Sequence, residues 1–142
     1  MTTTSNTSQS TLALVGRLLL AAIFLFGAFG KLVAPGPTQG YIASVGLPLP
    51  VLSYVAAVII ELGGGLMLLV GYRTRLAALV LAVFSVITAL VFHNALGDQN
   101  QLIHFLKNLA MAGGLLQVIA FGPGNFSFDN RRQTSSTRGF AA

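Results

Sequence analysis

The stretch VLSYVAAVIIELGGGLMLLV, residues 51–70, decides the fold of this chain. It is apolar over about 20 residues, which is the length of helix that crosses the roughly 30 Å hydrocarbon core of a bilayer. Glu61 lies near its middle. A carboxylate at that depth costs about 2.5–3.5 kcal/mol on insertion scales, so it should face protein or trapped water. The stretch therefore predicts a membrane-spanning helix whose acid has a partner inside the protein.

The composition of the whole chain is typical of an integral membrane protein. Of its 142 residues, 54% are hydrophobic and 8% are charged, whereas about a quarter of the residues in a soluble domain are charged. The net charge is +5, but the basic residues form no patch interleaved with aromatics, so nucleic acid is not an expected partner. The chain has no cysteine, which excludes thiolate nucleophiles and cysteine-bound iron–sulfur clusters within it. Redox chemistry would need a bound cofactor, a quinone or a partner.

Three more apolar runs complete an all-α, four-helix transmembrane bundle. The predicted spans cover residues 12–33, 51–70, 76–92 and 102–121, inside a membrane domain of residues 12–124. Residues 1–11 are rich in Ser and Thr and are predicted to be a disordered tail, and residues 125–142 form a basic polar tail. Four of the five prolines lie in residues 34–50, which predicts a loop with a short interfacial segment around Tyr41 and Ile42.

The distribution of basic residues predicts the orientation. With four spans, the N-terminus, the turn after the second span and the C-terminal tail share one face of the membrane. Lys and Arg accumulate on the cytoplasmic side, and this face holds five loop or tail cations, which are Arg73, Arg75, Arg131, Arg132 and Arg138. Both termini are therefore predicted to be cytoplasmic.

Glu61 has two candidate partners in the neighbouring spans. At about 1.5 Å of rise per residue, Glu61 lies roughly 15 Å below the outer boundary and Lys107 roughly 8 Å below it, within reach of a lysine stem. Arg17 lies roughly 8 Å above the inner boundary and can approach Glu61 from below. The sequence does not choose between them. Counting Lys31 as well, the buried polar set is net positive, which favours an anionic or carbonyl-bearing ligand in the outer half.

Each of these residues also has a simpler interpretation. Glu61 with one cation can be a structural ion pair that fixes helix register, and Lys31 can extend its ammonium to the headgroups. His93 and His104 stand at the outer ends of adjacent spans, where ordinary interfacial hydrogen bonding is the default. The alternative for this pair is axial ligation of a b-type haem, because imidazole is a common haem ligand.

The order and spacing of several motifs resemble the DoxX family of membrane proteins. In the first two spans these motifs are RLLLAAIFL from Arg17, Gly27, Gly30-Lys31-Leu32 and Glu61-Leu62-Gly63-Gly64. Further along they are Gly71, Arg73-Thr74-Arg75, His93, HFLKNLA from His104, Gly122-Pro123-Gly124, Ser127 and Asp129. The resemblance covers residues 12 to 129. It implies a four-helix bacterial inner-membrane protein, related to membrane subunits of thiosulfate:quinone oxidoreductase and associated with redox or stress-defence complexes.

The resemblance and the polar residues together define a candidate site. The predicted ligand-binding or buried polar cluster comprises Arg17, Glu61, His104, Lys107 and Asn108, with Lys31 and His93 as secondary members and no metal ligand set. The first functional hypothesis is an accessory, non-catalytic redox subunit that binds a quinone-like carbonyl, contacts membrane lipids and anchors a partner oxidoreductase. The alternatives are a structural or chaperone-like scaffold and a small solute or ion carrier, for which four spans give room only in a homo-oligomer.

Overall fold

The structure, a computed structural model, describes residues 2–131, with side chains from residue 7 onward. Within these residues it has no strand and five helices of ten residues or more: α1 Thr2–Val33, α2 Pro35–Ser44, α3 Pro50–Val70, α4 Thr74–Phe92 and α5 Gln99–Phe121. Residues 128–131 are helical as well. Four of them, α1, α3, α4 and α5, are long and apolar enough to cross a membrane. The all-α, four-span prediction is confirmed. Arg132 and Arg138 of the predicted basic tail lie outside the described residues.

The first helix begins earlier than the apolar run does. The structure is helical from Thr2 onward, over the residues for which the Ser and Thr content predicts a disordered tail. Ser10 is buried there, because the segment after α5 folds back against it: a Cβ added at Gly124 would lie 3.4 Å from the Ser10 carbonyl oxygen and 2.9 Å from the Ala13 Cβ. Tertiary packing of this kind overrides weak helix propensity.

The proline-rich connection contains a helix, so the loop prediction for residues 34–50 is only partly right. Pro35 and Pro37 both lie in the first turn of α2, where a missing N–H costs nothing and the fixed φ suits a helix. The Thr38 hydroxyl donates to the Ala34 carbonyl oxygen at 2.8 Å. Ile42 is buried, since α2 packs against α3 and the end of α1. The short interfacial segment is thus a ten-residue helix.

The four long helices form a closed ring in which each packs against two others. The most extensive contacts join α1 to α3 and α4 to α5, while α3 packs on α4, and α1 meets α5 along a looser seam. The buried core is small and aliphatic, with Ala21, Phe24, Leu68, Leu81, Ala112 and Leu115 among its members. Large apolar side chains cover the outside of the bundle, which is the surface that lipid requires.

Glycine allows α4 to pack closely against α3. A Cβ added at Gly64 of α3 would lie 2.8 Å from the Leu81 side chain of α4, a distance that packed atoms do not tolerate. Small residues at helix interfaces let membrane helices approach, because lipid tails give no hydrophobic drive for association. The glycine-rich end of the 51–70 stretch therefore positions α4 against α3.

Candidate functional site

A cavity of about 180 Å³ lies among the four spanning helices. We call it the central cavity. Its wall includes Phe24 and Gly27 of α1, Glu61 of α3 and Thr88 of α4. The helix α5 contributes three polar side chains, His104, Lys107 and Asn108. The structure thus brings together four of the five residues predicted as the cluster, and it leaves Arg17 outside.

The partner of Glu61 is Lys31. The Lys31 Nζ donates to both carboxylate oxygens of Glu61, at 2.9 Å to Oε1 and 2.8 Å to Oε2. The Glu61 side chain is 9% exposed and that of Lys31 is 27% exposed. The expectation that Glu61 pairs with Arg17 or Lys107 is wrong, and so is the interpretation of Lys31 as a headgroup contact.

The difference concerns the relative height of α1 and α3. A depth counted from the start of the second span assumes that neighbouring helices begin at one level. In the structure α3 packs against α2 as well as α1. The Tyr54 hydroxyl, one turn into α3, already donates to the Lys31 carbonyl oxygen at 3.2 Å. Lys31 lies one turn beyond Gly27, whose position is beside the Glu61 carboxylate, and the lysine stem closes that gap.

Gly27 makes room for the Glu61 carboxylate on the side of α1. A Cβ added at this glycine would lie 3.3 Å from Glu61 Oε1 and 3.5 Å from the other carboxylate oxygen. Lys31 is one turn further along the same face of α1. One face of α1 thus supplies both the space for the acid and the cation that neutralises it. The glycine appears among the motifs of the sequence, but no local pattern identifies the group that it accommodates.

The polar groups from α5 retain bonding capacity. Lys107 makes no hydrogen bond or ion pair with any residue in the part of the chain that the structure describes. Asn108 donates from Nδ2 to the His104 carbonyl oxygen at 3.0 Å, which leaves its side-chain oxygen for another donor. Since Lys31 neutralises Glu61, the ammonium of Lys107 leaves the cavity region with a net positive charge. Thr88, which the sequence prediction did not include, adds a hydroxyl on the opposite wall.

The two histidines stack at the rim of the cavity. Their ring centroids are 5.0 Å apart and the ring planes differ by 20°, and His93 Nδ1 lies 2.9 Å from Gln101 Oε1. Axial ligands must hold a haem between them with their nitrogens pointing at its iron, and parallel stacked rings do not have this arrangement. The geometry therefore favours interfacial hydrogen bonding over haem ligation for this pair.

Arg17 lies at the opposite end of the bundle, where it binds the segment that follows α5. Its Nη1 donates to the Pro123 carbonyl oxygen and its Nη2 to that of Phe126, each at 2.7 Å. The side chain is 2% exposed, and its Nε is buried without a hydrogen-bond partner among the described residues. Arg17 lies ten residues, or about 15 Å, along α1 from Gly27, so it does not reach Glu61. It holds residues 122–131, which we call the C-terminal segment.

Asp129 fixes the same segment to the start of α4. Its Oδ1 accepts from the Arg73 backbone N–H at 2.8 Å, and its Oδ2 accepts from the Thr74 N–H at 2.9 Å and the Thr74 hydroxyl at 2.8 Å. Partial burial alone would raise the pKa of Asp129, but these hydrogen bonds and the charge of Arg17 outweigh it and hold the pKa below its usual value. Sequence reasoning missed this cap, because its acceptor is more than fifty residues from its donors.

The turn between α3 and α4 completes the contact with the C-terminal segment. Gly71 ends α3 with a φ of +73°, a conformation that glycine adopts without strain. A side chain here would also collide, since an added Cβ would lie 2.6 Å from the Ser127 Cβ. The Gly71 carbonyl oxygen accepts from the Asp129 N–H at 3.0 Å.

The fold and the central cavity define a class: a small multi-pass membrane protein whose four helices enclose a polar cavity. Comparison with known proteins gives the family. The DoxX family model matches residues 12–94. The chain is 37% identical to the inner membrane protein YqjF of Escherichia coli over 116 residues, 82% of this chain and 88% of that protein. It is 31% identical to the E. coli inner membrane protein YphA over 129 residues, 87% of this chain and 92% of that protein. The chain belongs to the DoxX family.

A more distant similarity reaches outside bacteria. The Surfeit locus protein 4 homolog of Drosophila melanogaster is 31% identical over 136 residues, which are 90% of this chain but 43% of that protein. No solved structure matches the chain. With its bacterial relatives and four candidate spans, the chain is a multi-pass protein of the inner membrane.

Proposed function

We propose that the central cavity binds the oxygen-bearing headgroup of a membrane-soluble ligand, of which a quinone is the best example. The protein would then be an accessory, quinone-linked subunit of a membrane redox or stress-defence complex. One observation carries the proposal: the Lys107 ammonium lines a cavity in which the carboxylate is already neutralised by Lys31. Lys107 is exposed on α5 and has no ion-pair partner among the described residues, and an ionisable residue within a membrane-spanning helix is a candidate functional position.

The size and chemistry of the cavity suit a single ring. At about 180 Å³ it is smaller than the roughly 300–1,000 Å³ pockets that enclose drug-sized ligands. Phe24 and Phe84 supply aromatic walls, and Lys107 and His104 supply donors for a carbonyl oxygen. This chain's residues would bind and orient such a ring, and the ring would supply the redox chemistry when bound.

An apolar groove along the α1–α5 seam offers a place for the ligand's tail. A second cavity of about 500 Å³ lies between Leu12–Leu20 of α1 and Gly114–Phe121 of α5. Ile23 and Met111, which line the central cavity, are one turn away from Leu20 and Gly114, which line the groove. A prenyl chain in this groove would leave its headgroup in the central cavity.

Binding of a short-chain benzoquinone to the purified protein tests the proposal. The matched variants are Lys107→Met, which removes the ammonium, and Leu106→Met, which places the same side chain at a neighbouring exposed position. We expect saturable binding to the wild type and to Leu106→Met, and binding at least about tenfold weaker in Lys107→Met, because a hydrogen bond from a charged donor is lost. Equal affinities in both variants, or no saturable binding to the wild type, would contradict the proposal.

The scaffold alternative predicts a different pattern. If the polar groups serve only the fold, Glu61→Gln lowers the melting temperature in detergent, and Lys107→Met has no effect on any ligand. The Lys31–Glu61 pair, which joins α1 to α3 through two hydrogen bonds, is the observation that favours this alternative. Measuring stability and quinone affinity on the same preparations distinguishes the two functions.

We also propose that the end of the bundle bearing the C-terminal segment is cytoplasmic. Arg73, Arg75 and Arg131 lie in or beside the turns at this end, while Lys31 and Lys107 are inside spanning helices. The chain has no cysteine, so a cysteine introduced at one position can be labelled without any signal from native cysteines. An impermeant maleimide added to intact cells should label Gly97→Cys, in the α4–α5 connection, and spare Asn125→Cys. The reverse labelling pattern would overturn this orientation.

A further inference from the structure

A second polar cavity lies at the end of the bundle opposite to α2. It meets the apolar groove at Phe121 and shares no lining residue with the central cavity, which the proposed headgroup uses. Its volume is about 570 Å³. It is bounded by the start of α4, the end of α5 and the C-terminal segment, and its lining includes Arg73, Arg75, Leu76, Phe121, Gly122 and Asp129. We call it the arginine groove.

The charge of the arginine groove is positive, and one of its guanidinium groups is uncommitted. Asp129 is the acid in the lining, and its oxygens already accept from the Arg73 N–H and from the Thr74 N–H and hydroxyl. Arg73 lies over the Tyr72 ring, with its guanidinium carbon 5.9 Å from the ring centroid. Arg75 has no hydrogen-bond or ion-pair partner among residues 2–131. Two cations against one occupied carboxylate leave a site for an anion.

The position of the groove at the ends of two spanning helices favours a lipid as the source of that anion. The spanning helix α4 begins at Thr74 and α5 ends at Phe121, so the groove lies where the hydrocarbon core gives way to headgroups. Leu76 and Phe121 are both exposed, Phe121 at 81%. An amphiphile with its anionic group on Arg75 would thus have its acyl chains beside these two apolar side chains.

The C-terminal segment builds one wall of this groove. Arg75 lies close to the turn that follows α5, since its Nη2 would be 3.5 Å from a Cβ added at Gly122. Arg17 and Asp129 fasten that turn to α1 and α4. The guanidinium therefore faces a fixed surface, which a solvated loop would not provide.

We propose that the arginine groove binds the phosphodiester headgroup of an anionic phospholipid. Arginine presents a planar fork of donors that matches phosphate oxygens and forms two parallel hydrogen bonds with them. Basic pockets beside the ends of membrane helices bind anionic headgroups in the same way. The bound lipid would bridge α4 to the C-terminal segment and contribute to the stability of this end of the bundle.

Lipid binding in native mass spectrometry tests this proposal on the full-length protein. Phosphatidylglycerol and phosphatidylcholine with identical acyl chains are added separately to the wild type, to Arg75→Gln and to Arg131→Gln. Arg131 is exposed and does not line the groove, so its replacement removes the same charge from the same end. We expect phosphatidylglycerol to bind the wild type at least about tenfold more tightly than phosphatidylcholine, and Arg75→Gln to lose most of that preference while Arg131→Gln retains it.

Two results would overturn the proposal. Equal losses in Arg75→Gln and Arg131→Gln would indicate general attraction of the basic end to anionic lipid. Inorganic phosphate that protects against thermal unfolding as well as phosphatidylglycerol does, and only when Arg75 is present, would indicate a site for the free anion. The helix content of each variant, measured by circular dichroism, checks that the fold is retained. Quinone binding is measured on a different cavity, so either proposal can fail without the other.

Discussion

The two ends of the bundle hold their charged side chains differently. At the end that carries the C-terminal segment, two nitrogens of Arg17 donate to backbone carbonyl oxygens, and Asp129 accepts from three donors of α4 and its preceding turn. At the end that carries α2, Lys31 neutralises Glu61, yet Lys107 lines the same cavity without a partner among the described residues. The first arrangement uses its polar groups to hold the fold, and the second is the one at which we propose that a ligand binds.

The largest effect should come from removing Arg17. In Arg17→Met the stem is kept and both hydrogen bonds are lost, which leaves the Pro123 and Phe126 carbonyl oxygens without their donor. We expect a loss of about 3 kcal/mol in the free energy of unfolding, measured in detergent by circular dichroism. Arg17→Lys, which keeps the charge but not the fork, should be intermediate. If Arg17→Met is as stable as the wild type, the segment is held by other contacts and the contrast between the two ends disappears.

A double-mutant cycle on Lys31 and Glu61 measures how strongly the ion pair at the α2 end of the bundle stabilises the fold. Lys31→Met and Glu61→Gln each break the pair, and Lys31→Met also leaves a buried carboxylate. We expect each to cost about 2 kcal/mol of unfolding free energy, and the double variant to cost less than the sum, because breaking one half of a buried pair leaves the other half unpaired. Lys107→Met, on the same cavity, is the control and should not lower stability, because it removes a cation that has no partner among the described residues. Additive losses would show that the two side chains are not energetically coupled.

The sequence predicts the helices well and their mutual heights poorly. Hydrophobic length locates the four spans because the thickness of the bilayer sets it, and the buried Glu61 correctly indicates an internal partner. The choice of that partner depends on which residues of α1 and α3 lie side by side, and the structure places Gly27 beside Glu61. The connection between the two helices contains α2, whose prolines predict a loop by composition and begin a helix in the structure. A depth counted along one helix carries no information about its neighbour.

The two residues that hold the C-terminal segment, Arg17 and Asp129, show a second limit of prediction from sequence. Arg17 fits a buried ion pair by residue type, but its partners are carbonyl oxygens, and every residue supplies one of those. Asp129 lacks the local signature of a capping residue, since it caps a helix whose first residue is Thr74. Patterns over short windows detect caps within three residues of the helix start. A capping residue that is distant in sequence from its helix has no such pattern.

Asp129→Asn should have a smaller effect that depends on pH. The carboxylate accepts three hydrogen bonds at the start of α4, and a lost cap costs about 1 kcal/mol. Because its pKa is lowered in the folded protein, the stabilisation is complete at neutral pH and is lost as the pH falls below about 4 and through the lowered pKa. Thermal unfolding of both proteins between pH 7 and pH 2.5 should show a difference that shrinks with acidification. Asp98→Asn, which keeps a side-chain oxygen that can accept from the Gln101 N–H, should cost less at pH 7. A difference that stays constant with pH would mean that the charge of Asp129 is not responsible.

The smallest expected effect is the difference in stability between two glycine-to-alanine variants of α1. It distinguishes the need for space at Gly27 from the general cost of glycine in a helix. Gly30→Ala, in the same helix and with no atom within 4 Å of its added Cβ, should stabilise the protein by up to about 1 kcal/mol through helix propensity. Gly27→Ala has the same propensity gain, but its Cβ would lie 3.3 Å from Glu61 Oε1 and should displace the carboxylate. We therefore expect Gly27→Ala to be less stable than Gly30→Ala in thermal unfolding and to bind the benzoquinone more weakly, since Glu61 lines the same cavity. Equal stabilities and equal affinities for these two variants would show that the carboxylate moves freely, and the cavity would then lack the fixed wall that a specific ligand site needs.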